Sequence, residues 1–275
     1  MPIVGRGNNK MIFDLKDATV WDPVIGEGLR TILGNSYFNI LKKNADKIRY
    51  RDSDSEACNL FCERASREKI RAEVIKVISH HFKEVMVYHA CRPKQVYDYY
   101  EKGIIPLSPI QVQKQFRDNF STYVSNEDID AAIAAVSLDT RDGVVHVVLD
   151  DRAFVDSSGH YLIYGSEYQI CLSINLPGAP QRMRDILKSF GKATVFVCRL
   201  PFSTVTDLEY LVPRMMADHF FRIAHNCDEV STIDYTVSLS EAISPNAIIR
   251  HFCPIRIKDP YKYYAVWNDE TMEYE

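Results

Sequence analysis

The chain has 275 residues, of which 46% are hydrophobic, 25% charged and 11% aromatic, including 16 Tyr and 13 Phe. This is the mixture of an ordinary globular protein with a core of useful size, and it contains no repeat or low-complexity tract. The formal net charge of -4 gives no electrostatic case for tight non-specific nucleic-acid binding, although a local basic groove stays open.

The first residues, MPIVGRGNNKMIFDLKDATV, lack the basic, apolar and small-residue regions of a secretory signal. No window approaches the ~18 consecutive apolar residues of a membrane span. A cytoplasmic protein with no membrane association is expected.

Residues 1–82 read as a helical region. A helix is expected over Tyr37–Lys47, and Ser53 with Glu56 forms a capping-box pattern. Ile70, Val74, Val77 and Ile78 then fall on one face of a 3.6-residue period, opposite a solvated run of Arg, Lys and Glu. Cys58 and Cys62 lie one turn apart ahead of His80 and His81, so a zinc site would need the helix to fold back on itself. Seven scattered cysteines, an odd count without a secretory signal, argue against a disulfide framework. Core packing is the simpler reading, and no metal is expected.

From Glu84 the pattern changes. Strands are expected over residues 85–90, 144–150, 168–174, 193–200 and 232–239, with a possible sixth in IIRHFCPIRI. Helices fit 93–102, 109–120, 126–136, 180–190 and 206–224, the last with a Thr206–Glu209 capping box. Strands and helices do not alternate as in a doubly wound sheet, so an α+β domain over 83–275 is expected.

Three stretches carry polar and aromatic residues that a purely structural sequence would not need. In VYHACRP a strand ends beside His89 and Arg92. In SSGHYLIYGSEYQICLSI, Tyr161, Tyr164, Tyr168, Ser166 and Glu167 crowd around Gly159 and Gly165. In DEVSTIDYTVSLSEAISPNAII, which also holds Glu229, Asp234 begins a strand that leads to a turn at Ser244-Pro245. No glycine-rich dinucleotide loop, P-loop or hydrolase nucleophile elbow occurs.

In this order the stretches resemble the ADP-ribosyltransferase fold family, over residues 84–260. YHACRPKQVYDYYEKGII is similar to that family's opening strand, which carries a tyrosine-histidine pair and is followed by a short helix ending in glycine and isoleucine. GHYLIYGSEY resembles its strand with a glycine and a tyrosine. DYTVSLSEAISPNAI resembles its acidic strand head followed by an I-x-P-x-x-I-like turn. Members of the histidine-tyrosine-glutamate type, among them bacterial toxin and antiphage enzymes, carry glutamate where this chain has Asp234. No Glu-x-Glu pair accompanies it, which makes arginine a less suitable acceptor.

The resemblance implies a split β-sandwich with an N-terminal helical extension, and NAD+ as substrate. It implies that His89, Arg92, Tyr161, Tyr164 and Ser166 bind the dinucleotide. His89 would hydrogen-bond ribose hydroxyls, Tyr161 or Tyr164 would stack on nicotinamide, and Arg92 would meet a pyrophosphate oxygen. The carboxylate supporting an oxocarbenium-like state would be Asp234, with Glu167 or Glu229 as substitutes. The acceptor would be RNA or DNA, slightly favoured over a protein side chain, and the N-terminal helices would offer a surface to an antitoxin or regulatory partner. An RNA 2′-phosphotransferase-like enzyme, an NAD+ glycohydrolase and a degenerate ligand-binding module are the competing readings.

Overall fold

The computed structural model describes residues 12–137 and 142–275, so the first half of the N-terminal stretch quoted above lies outside the described residues. In chain order the elements are β1 (Ile12–Phe13), α1 (Ala18–Leu33), α2 (Tyr37–Lys43), α3 (Ser55–Asn59), α4 (Arg67–His81), β2 (Glu84–Cys91), α5 (Tyr97–Lys102), α6 (Pro109–Phe120) and α7 (Asn126–Ala135). There follow β3 (Val145–Val148), α8 (Ala153–Asp156), α9 (His160–Ile163), α10 (Glu167–Ile174), α11 (Pro180–Ile186), β4 (Thr194–Pro201) and α12 (Leu208–His225). The C-terminal part holds β5 (Thr236–Leu239), β6 (Ile248–Phe252), β7 (Arg256–Asp259), β8 (Ala265–Asn268) and β9 (Glu273–Tyr274). Helices and mostly antiparallel strands make this an α+β protein.

The chain divides into two compact units. The first runs through Val87 and takes in Arg199–Val237; the second comprises Tyr88–Cys198 and Ser238–Glu275.

In the first unit, α1 packs on α4 so closely that a Cβ on Gly28 would lie 3.1 Å from the Val74 Cα. The apolar face read from the sequence is buried at Ile70, Val74 and Ile78, with Val77 at its margin. Phe13, Phe82 and Phe202 meet edge-on or tilted, with ring centroids 5.1 to 5.8 Å apart. β1 pairs in parallel with the start of β2 through Ile12–Glu84 and Phe13–Val85.

Both expected capping boxes are replaced. Asp54 is the N-cap of α3, and Glu56 turns back to accept from the backbone N–H groups of Arg49 and Tyr50. At α12 the cap is Asp207, which accepts from Tyr210 N at 3.2 Å. At α12 an acidic side chain one residue away competed successfully for the free helix terminus, whereas Asp54 makes no side-chain cap bond and pairs with Arg71 instead.

In the second unit the strands run in the order β5-β3-β2-β4-β6. Tyr88 lies opposite Val148, and Val195–Val197 oppose Phe252–Arg250. A separate antiparallel sheet, β7-β8-β9, is formed by the C-terminal residues, and IIRHFCPIRI thus supplies two strands, one to each sheet.

The expected strand over 168–174 is instead α10. Gly165 at φ +88° ends the preceding turn, and Ser166 caps α10 by accepting from Gln169 N at 3.3 Å. Tyr168, Ile170 and Leu172 are all buried, and an apolar run hidden on several sides carries no period that separates helix from strand. The second motif, GHYLIYGSEY, is accordingly helical in α9 and α10 rather than extended.

Candidate functional site

β2 places Tyr88 and His89 on opposite faces of the second unit's sheet. The Tyr88 ring is buried. The His89 Nδ1 lies 3.0 Å from the His146 carbonyl oxygen on β3. A carbonyl only accepts, so Nδ1 carries the proton and Nε2 keeps its lone pair. Burial holds the His89 pKa below its ordinary value, against the opposing hydrogen bond to the His146 carbonyl. The imidazole is therefore neutral at pH 7 and suited to accept from a hydroxyl. His146 in turn has Nδ1 2.9 Å from the Ser238 hydroxyl on β5. A polar row, His89–His146–Ser238, thus crosses β2, β3 and β5.

A seam also joins two loops of the second unit. Gly103, at φ +79°, ends α5, and a Cβ there would fall 2.1 Å from the Ile243 carbonyl oxygen and 3.1 Å from Pro245 Cδ. Ile104 N donates to Ile243 O, and Ile243 N to Ile104 O, each at 2.9 Å. The glycine-isoleucine end of the first motif is thereby hydrogen-bonded to the I-x-P turn of the third.

Arg92 does not present a cation to ligand. Its Nη1 donates to Leu162 O and to Asp269 Oδ1 at 2.7 Å each, its Nη2 to Lys188 O at 2.7 Å, and its Nε to Phe190 O at 3.1 Å. Both partners of the Arg92–Asp269 pair have side chains only 3% exposed. The expected pyrophosphate contact is replaced by an internal staple, because a guanidinium with four of its five N–H donors satisfied has almost nothing left to offer.

Tyr164 is similarly committed. It is buried, and its hydroxyl donates to Asp259 Oδ2, as does that of Tyr274. Lys188 Nζ donates to the Tyr274 hydroxyl at 2.6 Å and sits 4.7 Å above the Trp267 ring. Burial pushes the Tyr164 hydroxyl's pKa well up and the Lys188 ammonium's down. A Tyr164 ring held in this way is not a free nicotinamide platform. Tyr161 is half-buried, with its ring 4.0 Å from that of His160 and 6.5 Å from that of Phe154. Ser166 spends its hydroxyl on the α10 cap, and Glu167 is the first residue of that helix, where a carboxylate complements the helix dipole.

Asp234 and Glu229 belong to the first unit. They lie in a stretch without regular structure, residues 227–235, that is nevertheless pinned at several points. The Asp218 carboxylate, fully buried, accepts from Arg51 Nε at 2.7 Å, Arg222 Nε at 2.8 Å, Ser231 Oγ at 2.7 Å and Ser231 N at 3.1 Å. Arg51 also donates to the Glu229 carbonyl, and Arg214 Nη1 to the Asp234 carbonyl at 3.2 Å. The Asp234 residue is exposed.

Sequence reasoning missed His146, Ser238, Asp259 and Asp269. The signal for His146 was there: it alternates with buried Val145 and Val147, so it had to face the other side of β3. Thiol chemistry is disfavoured at Cys58, Cys91 and Cys198, whose pKa values burial pushes up to about 12. Among the described residues no three His, Cys, Asp or Glu side chains are grouped to hold a metal, and no helix is long and apolar enough to cross a membrane.

The two shifted histidines of the second unit, His89 and His160, predict an acid response. Burial is the leading cause in each, and both pKa values lie below 6.5. As pH falls below 6.5 the unfolded chain takes up protons first, so stability is lost from there down to the folded-state values. Asp22 in the first unit is also shifted downwards, to below 3.8, the burial that opposes this being outweighed by its hydrogen bonds with His219 and Arg222, so its contribution is lost only in stronger acid. The two tryptophans separate the responses, because Trp21 is buried in the first unit and Trp267 in the second. Urea midpoints read from Trp267 in a Trp21→Phe background should fall between pH 7.5 and 5.5. In His89→Asn the fall should be smaller; an unchanged slope would remove His89 as a cause.

No family model, curated protein or solved structure matches the chain.

Proposed function

We propose that this chain transfers ADP-ribose from NAD+ to a macromolecular acceptor, with nucleic acid favoured over protein. The observation that supports the reading best is the hydrogen-bonded seam between Gly103-Ile104 and Ile243-Pro245. Two segments that carry the family resemblance, far apart in sequence, meet beside the sheet that bears His89.

In the proposed reaction the bond between the nicotinamide nitrogen and ribose C1′ breaks, and nicotinamide leaves with the electron pair. An acceptor nucleophile forms the new bond to C1′ and gives up its proton. The neutral His89, with Nε2 as acceptor, orients a ribose hydroxyl. Asp234 supports the oxocarbenium-like charge, with Glu229 and Glu167 as the other carboxylates to test. A cytoplasmic toxin or antiphage effector would use this chemistry.

The experiment is NAD+ consumption with purified protein, alone and with single-stranded DNA, RNA or protein acceptors. His89→Ala should raise KM for NAD+. Asp234→Asn should cut turnover by about 100-fold, the scale of one electrostatic stabiliser, with KM little changed. If Asp234→Asn is fully active while Glu167→Gln or Glu229→Gln is dead, the role moves to that glutamate. A wild type that consumes no NAD+ with any acceptor ends the transferase reading. A degenerate ligand-binding module would then be favoured, because Arg92, Tyr164 and Ser166 are each committed to internal contacts.

A further inference from the structure

The connection between β7 and β8 reads Pro-Tyr-Lys-Tyr-Tyr over residues 260–264. Tyr263 and Tyr264 both hold positive φ, at 53° and 61°. Bulky side chains seldom adopt this left-handed region, which Gly, Asn or Asp occupies at lower cost. Buried apolar area does not repay that strain. Tyr263 is 100% exposed, Tyr264 54% and Tyr261 41%. Strained, exposed aromatic residues at a hairpin tip point to a role outside the fold.

A cation stands beside them. The Arg184 guanidinium of α11 stacks on the Tyr261 ring at 4.1 Å. Neighbouring charges are matched: Lys188 and Lys262 share Asp185 at 2.8 and 3.5 Å, and Lys258 pairs with Asp156 at 2.7 Å. Among the described residues no carboxylate pairs with Arg184, and its Nε has no acceptor. His160, whose ring lies 5.8 Å from that of Tyr261, also has Nδ1 without a partner.

We propose that this tip is a stacking platform for single-stranded nucleic acid, with bases on Tyr263 and Tyr264 and a phosphate at Arg184. An exposed phenol ring accepts the face of any unpaired base, and a planar guanidinium suits phosphate oxygens. A protein partner would call for an apolar surround, whereas Lys262 stands between Tyr261 and Tyr263 in the chain and the Arg184 guanidinium lies on the Tyr261 ring. The proposal deepens the transferase reading by naming the acceptor and its docking surface. It rests on that reading only for the strand's being the acceptor, since the binding itself is measured without NAD+.

The test is fluorescence anisotropy of the full chain with labelled single-stranded DNA and RNA of about a dozen nucleotides, within the site sizes such platforms cover, and with the matching duplex. Wild type should bind single strands and prefer them to duplex. Tyr263→Ala and Tyr264→Ala should each weaken binding by about 5- to 100-fold, the range for one lost stacking contact. Arg184→Gln should weaken it and lower the salt dependence by about one phosphate contact. The Tyr263→Asn, Tyr264→Gly double variant relieves the left-handed strain, so it should melt at or above the wild-type temperature while binding as poorly as the alanine variants.

Absence of single-strand binding, equal binding of duplex, or unchanged binding by the tyrosine variants would overturn the proposal. Protection of these tyrosines by a protein acceptor, with no strand bound, would overturn it in favour of a protein surface. A chain that binds strands but consumes no NAD+ keeps this platform and loses the transferase reading; one that consumes NAD+ yet binds no strand does the reverse.

Discussion

Asp269→Ala is expected to destabilise the second unit by about 3–5 kcal/mol, the scale for removing one partner of a buried ion pair. Asp269 accepts from Arg92 Nη1 at 2.7 Å, from Trp267 Nε1 at 3.0 Å and from Ala193 N at 3.0 Å. The substitution leaves a buried guanidinium without its counter-charge and two N–H donors without acceptors. Asp269→Asn keeps an acceptor and the shape but not the charge, so it should cost less than the alanine variant. Arg92→Ala removes the cation but orphans the carbonyls of Leu162, Lys188 and Phe190, and should cost as much as Asp269→Ala. Urea denaturation followed by far-UV circular dichroism measures the series. Equal midpoints for wild type and Asp269→Ala would show that the pair does not hold this unit together.

Gly103→Ala is expected to be strongly destabilising. Its backbone, φ 79° and ψ -172°, lies in a region essentially reserved for glycine, and leaving it costs of order 1–3 kcal/mol. The added Cβ would also sit 2.1 Å from the Ile243 carbonyl oxygen, which is backbone and cannot swing away. Gly34 provides the control. It has nearly the same conformation, φ 76° and ψ 170°, with nothing within 4 Å of its Cβ position. Gly34→Ala thus isolates the conformational cost, and Gly103→Ala adds the clash and the loss of the Ile104–Ile243 hydrogen bonds. A melting temperature for Gly103→Ala no lower than for Gly34→Ala would mean the seam yields freely. Should the transferase reading hold, Gly103→Ala should also impair NAD+ turnover while Gly34→Ala does not.

β2, β3 and β4 were legible in the sequence because β-branched and aromatic residues are concentrated there between turn signals. α6 and α7 were legible because Pro109 and Ser125 mark their starts. α10 was not, since its residues are buried on several sides and periodicity then has nothing to report. The C-terminal sheet was missed because its strands are 2 to 4 residues long. At the candidate site, the strand position of His89 was readable, whereas the meeting of Gly103-Ile104 with Ile243-Pro245 was not, because it joins segments far apart in the chain. The fate of Arg92 was not. Whether an arginine faces solvent or is buried depends on a carboxylate 177 residues along the chain, and no local pattern carries that information. Tyr164 depends in the same way on Asp259, 95 residues away.

The first unit is assembled from two separated pieces of chain, one running through Val87 and one over Arg199–Val237. During synthesis α1, α2 and α4 emerge early, but their partner α12 arrives only after all of Tyr88–Cys198 has been made. Until then Tyr37 lacks His219, Asp22 lacks both His219 and Arg222, and the Trp21 ring lacks the Arg222 guanidinium that stacks on it at 5.4 Å. The nascent N-terminal helices must therefore wait, partly uncovered, while the larger segment of the second unit, Tyr88–Cys198, is translated. A ribosome paused within β4 would hold the protein in its most aggregation-prone form, with apolar helix faces complete and their cover not yet made.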